Sequence, residues 1–68
     1  MTLLKKGSTG PEVKKLQEDL KYLEYKIEKV DGILGPNTES IVKDFQKDGE
    51  VEIDGIVGPI TQELLEDK

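Results

Sequence analysis

The residue types that the sequence lacks limit its possible functions most. Its 68 residues include no cysteine, no histidine and no tryptophan. Without cysteine, neither a disulfide nor a thiolate metal site can form. Without histidine, the chain has no imidazole for a zinc hydrolase site, for a serine-type triad or for proton transfer near neutral pH. These absences exclude most hydrolytic mechanisms and favour a non-catalytic role.

Positive charge is also scarce. The 10 basic residues are all lysine, the acidic residues number 15, and the net charge is −5. This balance argues against nucleic acid, where phosphate neutralisation dominates affinity, and against anionic membrane surfaces. No apolar run is long enough for a membrane span, and no signal segment is recognisable in the chain. The length predicts one domain over residues 1–68, near the lower limit for independent folding.

Aromatic residues are few, namely Tyr22, Tyr25 and Phe45. Phe45 lies on the apolar stripe of a predicted helix and is expected in the core. Tyr22 falls off the stripe of the preceding helix and Tyr25 follows that helix, so these two rings are available to stack on a sugar or a peptide. The alternative is that both tyrosines are half-buried and cover the edge of the helices.

A short phrase is written twice in the chain. Residues 30–38 read VDGILGPNT and residues 53–61 read IDGIVGPIT. A weaker copy, GSTGPEV at residues 7–13, keeps only the Gly-x-x-Gly-Pro skeleton. Aligning the copies on Gly-Pro also aligns the residues that follow: Val13, Thr38 and Thr61, then Leu16, Ile41 and Leu64. Such repetition indicates one structural unit, a loop that leads into a helix, used three times.

Each part of the phrase has a physical reason. An Asp side chain accepts hydrogen bonds from backbone N–H groups two residues on. The next residue, Gly32 or Gly55, is expected to adopt positive φ, because glycine has no Cβ penalty there. Gly-Pro predicts a helix start, with glycine as the N-cap and proline at the first helical position. The apolar pairs at residues 33–34 and 56–57 predict loops that turn inward.

Apolar periodicity predicts three helices, at about Pro11–Leu23, Pro36–Lys47 and Pro59–Glu66. Gly49 suits a left-handed cap after the second helix. The expected core positions on the helices are Val13, Leu16, Leu20, Leu23, Thr38, Ile41, Val42, Phe45, Leu64 and Leu65. The fold class is therefore all-α, a small three-helix bundle with two repeated Asp-Gly-x-x-Gly-Pro loops.

The recurring carboxylates Asp31 and Asp54 raise the question of a catalytic or metal-binding site. Turn formation explains them better than a catalytic pair, which needs two carboxyls on either side of a cleft. The D-x-[DN]-x-[DN]-G spacing of a calcium loop is absent, so neither a metal nor a cofactor is expected.

Gln17 and Gln46 each follow a core residue. Their amides are expected to tie the loop backbone in place, and ligand contact is the alternative.

Taken together, these patterns strongly resemble the peptidoglycan-binding domain family, a three-helix module of bacterial and phage cell-wall hydrolases. The resemblance is carried by LxxGxxGxxVxxLQxxL at residues 4–20, VDGILGxxT at 30–38, FQ at 45–46 and DGIVGxxT at 54–61. The same fold occurs in matrix metalloproteinase propeptides, but their cysteine-bearing switch segment has no counterpart here. One departure is Glu24, since the family often has glycine after the first helix.

The resemblance implies a non-catalytic binding module that attaches a cell-wall hydrolase to peptidoglycan. Such a module works in the cell wall or outside the cell, and a monomer tethered to a hydrolase domain is expected. The alternative is a protein-interaction or prodomain-like module that packs on a tethered enzyme and occludes it.

The ligand site is predicted from the loop positions that match the family, together with the two tyrosines. Its residues are Tyr22, Tyr25, Asp31, Gly32, Asp54 and Gly55. The helix starts beside the loops favour the carboxylates of peptide stems, and a tyrosine ring is suited to a sugar face.

Overall fold

The computed structural model describes residues 3–66. It contains three helices, α1 (Pro11–Tyr22), α2 (Pro36–Asp48) and α3 (Pro59–Glu66). Within these residues β pairing is limited to two isolated antiparallel bridges. The prediction of an all-α, three-helix fold is confirmed, with α1 ending one residue earlier and α2 one residue later than expected.

The helices begin at the Gly-Pro steps. Gly10 and Gly35 are the N-caps of α1 and α2, and a proline opens each helix. The cap carbonyls accept the first helical hydrogen bonds, at 3.1 Å from Lys14 N to Gly10 O and at 2.9 Å from Glu39 N to Gly35 O. Proline fits here because a first-turn N–H has no partner within the helix.

The two longer helices end in the same hydrogen-bonded motif. After α1, Glu24 N donates to Lys21 O at 2.9 Å and Tyr25 N donates to Leu20 O at 3.0 Å. Residues 50–51 repeat both bonds after α2. This is the Schellman pattern, which places a left-handed residue directly after the helix cap.

The prediction that Gly49 is the left-handed residue is wrong. Gly49 has φ −85°, whereas Glu24 and Glu50 have φ 71° and 59°. Residue 49 is glycine for another reason, because a Cβ there would lie 2.7 Å from Leu64 Cδ1. The glycine thus leaves room for Leu64 of α3, and two glutamates hold a conformation that L-residues with a Cβ rarely adopt.

The core combines the three helices with one residue from each repeated loop. We call residues 30–35 the first loop and residues 53–58 the second loop. Leu34 and Val57 are buried, but Ile33 exposes 53% of its surface. The prediction that the loops turn inward is confirmed at Leu34 and Val57 but not at Ile33, because neighbouring side chains of extended backbone point to opposite sides.

The helical part of the core agrees with the predicted stripes. Its buried apolar residues are Val13, Leu16, Leu20, Ile41, Val42 and Phe45. Leu4 and Ile27 add to them from outside the helices. Three predicted core leucines are only partly buried and pack against its edge: Leu23, Leu64 and Leu65.

The N-terminal segment lies between the two loops. Leu4 pairs with Val57 through two backbone hydrogen bonds, of 3.1 Å and 2.7 Å. Residues 7–10 pair with residues 32–34 through three bonds of 2.9 Å. The N-terminal segment, from Leu4 to the start of the weak copy, therefore connects both full copies of the phrase.

Candidate functional site

A buried glutamine organises the first loop. Gln17, with 1% of its surface exposed, accepts at Oε1 from Asp31 N at 3.0 Å and from Gly32 N at 2.8 Å. Its Nε2 donates to Asp31 Oδ1 at 3.1 Å, to Ile33 O at 3.0 Å and to Thr38 Oγ1 at 3.1 Å. The single amide therefore joins α1, the turn and the first turn of α2.

The second loop repeats this arrangement atom for atom. Gln46 Oε1 accepts from Asp54 N at 3.1 Å and from Gly55 N at 2.9 Å. Its Nε2 donates to Asp54 Oδ1 at 2.9 Å, to Ile56 O at 3.0 Å and to Thr61 Oγ1 at 3.1 Å. The structural role predicted for both glutamines is confirmed.

The aspartates complete the turns. Asp31 Oδ1 accepts from Ile33 N at 3.0 Å, and Asp54 Oδ1 accepts from Ile56 N at 2.9 Å. These backbone bonds, and then the bonds from the glutamine amides, hold the pKa of both carboxyls below the usual aspartate value. Both aspartates are exposed and lie at the surface of their loops. Each therefore stays ionised at neutral pH.

The glycines shape the loops from within. Gly32 and Gly55 are buried and have φ 76° and 73°, as the sequence predicts. A Cβ on Gly32 would lie 3.3 Å from the backbone oxygen of Gly10, and one on Gly55 would lie 3.0 Å from Lys43 Cε. Their N–H groups are donated to the glutamines, so these glycines set the shape of the loop surface.

Tyr25 lies away from the first loop. Tyr25 packs its ring edge-on against Phe45, with centroids 5.8 Å apart, and its hydroxyl donates to Asp48 Oδ2 at 2.6 Å. Burial and then the hydrogen bond to Asp48 raise the pKa of Tyr25 to about 12. Asp48 ends α2, roughly 18 Å along the helix from its start beside the first loop. Tyr22 exposes 82% of its surface at the end of α1.

Each loop borders a shallow pocket at the start of the next helix. The pocket beside the first loop measures ≈ 160 Å³ and the pocket beside the second loop ≈ 270 Å³. Asp31 lines one and Asp54 the other. Leu3 and Ile60 also line the second pocket and are missing from the predicted site. The sequence held a signal for Ile60, because this residue replaces Asn37 in otherwise similar phrases.

Two other surface grooves are present. One, of ≈ 180 Å³, lies between α1 and α3 over Leu16 and Leu65. The other, of ≈ 410 Å³, lies beside Tyr25 and is bordered mainly by charged side chains. Among residues 3–66, no group of three or more acidic side chains converges to hold a metal ion. No helix in the same range is both long and apolar enough to cross a membrane.

A model of a known protein family matches most of the chain. The model of the peptidoglycan binding domain matches residues 9–65. This span contains both loops, both glutamines and nearly all of the three helices. No curated protein sequence matches the chain.

Solved structures share the fold along almost the whole chain. The SleB N-terminal domain is 32% identical, with a TM-score of 0.93 over 97% of this chain and 90% of that domain. An L,D-transpeptidase from Xylanimonas cellulosilytica is 45% identical, with a TM-score of 0.95 over 98% of this chain but 33% of that one. A fused Zn-dependent amidase/peptidase/peptidoglycan-binding domain-containing protein from Clostridium acetobutylicum is 39% identical, with a TM-score of 0.90 over 94% and 28%.

Proposed function

Because the chain belongs to the peptidoglycan binding domain family, we propose that it binds peptidoglycan and attaches a cell-wall hydrolase to it. The observation that carries this proposal is the family match over residues 9–65, which includes both rigid loops. Five hydrogen bonds with a buried glutamine order each loop, Gln17 in the first and Gln46 in the second. A surface that is already ordered loses less entropy on binding.

Attachment to an enzyme is supported by the proteins in which this fold occurs. The chain spans 33% of the transpeptidase and 28% of the amidase/peptidase, so in both the domain is part of a larger protein. A tethered binding domain raises the effective concentration of its enzyme at a repeating polymer. The site of action proposed for this chain is therefore the cell wall or the space outside the cell.

A non-catalytic role is supported by the chemistry of the side chains. A general acid for glycoside hydrolysis needs a raised carboxyl pKa. The pKa of Asp31 and of Asp54 is instead lowered by hydrogen bonds within the loops. No histidine is available to replace them. We therefore propose that the chain contributes binding and that the reaction belongs to the tethered domain.

The proposed contact surface comprises the exposed parts of the two loops and the tyrosines. Its residues are Tyr22, Tyr25, Asp31 and Asp54, with the buried Gly32 and Gly55 shaping the loops beneath the two aspartates. Tyr22 offers the most accessible ring, whereas the hydroxyl and ring of Tyr25 already have partners in Asp48 and Phe45. The loops offer carboxylate oxygens and backbone shape. Because these contacts are shallow, affinity for soluble fragments should be weak and retention should depend on many contacts along the polymer.

Sedimentation with purified peptidoglycan tests the proposal. The isolated chain should pellet with the insoluble polymer and stay soluble with cellulose. It should release neither reducing sugar nor free amino groups. Release of either product would overturn the non-catalytic assignment. A folded chain that does not pellet with walls of several chemotypes would contradict wall binding and support the alternative of a module that occludes its enzyme.

A further inference from the structure

The pockets beside the two loops are built from the same positions of the repeat. Apart from the glutamines, every lining residue of the first pocket has its counterpart 23 positions later in the lining of the second. The glutamines, Gln17 and Gln46, line their pockets in the same way from different helix positions. The two pockets can therefore be compared position by position, and the residues that differ indicate how their binding properties differ.

Three substitutions separate the two pockets. Glu28, Lys29 and Asn37 of the first are Val51, Glu52 and Ile60 of the second. In the first pocket, Asn37 Oδ1 accepts from Glu28 N at 3.2 Å, so the rim there is polar. In the second pocket, Ile60 has no such group, and Val51 N donates instead to Gln46 O at 3.1 Å. The second pocket is also the larger of the two, at ≈ 270 Å³ against ≈ 160 Å³.

The second pocket exposes apolar surface that nothing in the described chain covers. Ile60 leaves 64% of its surface exposed and Leu3 leaves 54%. Both line this pocket, with the partly buried Val51 and Ile56 beside them. Large apolar side chains grouped around one cavity mark an interaction site more often than single exposed ones do.

The charges around the second pocket limit which kind of ligand can bind there. The charged residues that line this pocket are Glu52 and Asp54, and no lysine lines it. Two carboxylates repel the anionic end of a peptide stem but accept hydrogen bonds from hydroxyl groups. The volume of ≈ 270 Å³ lies just below the range of about 300–1,000 Å³ for small-molecule sites. A neutral group of about one sugar unit, with hydroxyls and a methyl, fits these properties.

We propose that the pocket lined by Leu3, Asp54 and Ile60 binds an N-acetylated sugar of the peptidoglycan glycan strand. The acetyl methyl group lies against Leu3 and Ile60, and sugar hydroxyls donate to Glu52 and Asp54. The pocket beside the first loop is its smaller structural copy with a polar rim. This assignment rests on the proposed function, and it places the glycan strand rather than the peptide stem at the second loop.

The test compares four folded proteins in sedimentation with graded amounts of purified peptidoglycan. Ile60→Asn installs the residue of the first copy and should weaken binding about tenfold, since it removes apolar contact. Ile53→Asn is the matched control, because Ile53 is also exposed, at 51%, but does not line the pocket. It should bind like the wild type. Asn37→Ile should not weaken binding. Circular dichroism verifies the fold of each variant.

Competition then identifies the ligand. Glycan strands stripped of their peptides by an amidase should displace the wild-type chain from peptidoglycan, and free stem peptides should not. If the wild type pellets but Ile60→Asn pellets equally well, the pocket assignment is overturned and the proposed function stands. If stem peptides compete and stripped glycans do not, the sugar assignment is overturned. If the wild type does not pellet, both proposals fall.

Discussion

The loop before α2 and the loop before α3 are held by the same five hydrogen bonds, made by Gln17 in one and by Gln46 in the other. The two loops reach this arrangement by different routes. Gln17 precedes its aspartate by 14 residues and Gln46 precedes its own by 8. Gln17 lies in the middle of α1, whereas Gln46 lies in the last turn of α2. The conformation therefore depends on the phrase and a nearby amide, and tolerates a change in connector length.

The same two loops differ at their rims. Asn37 and Glu28 give the first pocket a polar rim, and the exposed Ile60 gives the second an apolar one. The bonds that hold a loop and the residues that border its pocket are separate sets of positions, so one can be kept while the other changes. Under the proposal above, the first copy acts mainly as scaffold and the second copy carries the sugar-binding surface.

Removing either glutamine should have the largest effect. Gln17→Ala and Gln46→Ala each leave buried backbone and hydroxyl groups without partners, and should cost at least about 3 kcal/mol in free energy of unfolding. In a domain this small, that loss would leave much of the chain unfolded. Urea denaturation followed by circular dichroism measures it, with the exposed neighbours Glu18→Ala and Lys47→Ala as controls. A loss below about 1 kcal/mol for one glutamine alone would show that the two loops are not equivalent.

Substitution of the loop glycines should destabilise the two loops to different extents. Alanine at either position meets a strained positive φ, which costs about 1–3 kcal/mol. At Gly32 the new Cβ also meets the backbone oxygen of Gly10 at 3.3 Å, whereas at Gly55 it meets the flexible side chains of Lys43 and Glu39. Gly32→Ala should therefore destabilise the fold more than Gly55→Ala in thermal denaturation. The reverse order would contradict the contacts described for the first loop.

The left-handed glutamates offer a smaller, stabilising change. Glu24→Gly and Glu50→Gly should each raise the free energy of unfolding by about 0.5–1 kcal/mol, because glycine relieves the strain at the Schellman position. Glu52→Gly is the control, since Glu52 is not among the residues with positive φ. It should lower stability through the greater freedom of the unfolded chain. A loss of stability at both Glu24 and Glu50 would argue against the cap geometry.

Acid should weaken both loops modestly. The folded pKa of Asp31 and of Asp54 is lowered from 3.8, so the ionised carboxylates stabilise the fold above the unfolded pKa. That contribution is lost as the pH falls through the lower folded values. The melting temperature should therefore drop below about pH 4, and replacing both aspartates by asparagine should flatten this part of the profile. Parallel profiles for the wild type and the double variant would exclude the aspartates as its source.

Much of the fold could be predicted because local signals and core patterning agree. Gly-Pro steps give the helix starts, and the apolar stripes give the core. Positive φ at Gly32 and Gly55 follows from the Asp-Gly pairs. The prediction for Gly49 was wrong because its reason is tertiary, namely the approach of Leu64 from α3. Sequence rules that place glycine at a helix end do not see a side chain that arrives from another helix.

The site was less predictable than the fold. The loop aspartates and glycines repeat visibly, but their repetition reflects the shape of the turn as much as any ligand. Leu3 could not be associated with Ile60 from the sequence, since the bridge between Leu4 and Val57 brings the N-terminal segment to the second loop. The informative positions are those where the two copies have different residues. The effect of these differences on the pockets became clear only from the hydrogen bond between Asn37 and Glu28.

Amide chemical shifts of the isotopically labelled chain, titrated with solubilised peptidoglycan glycan, test the central claim most directly. Both loops are observed in one sample, so each serves as the reference for the other. The account predicts saturable shifts that are largest at residues 51–61 and Leu3, with smaller shifts at residues 28–38. Shifts of equal size in both loops, or shifts confined to residues 28–38, would contradict it.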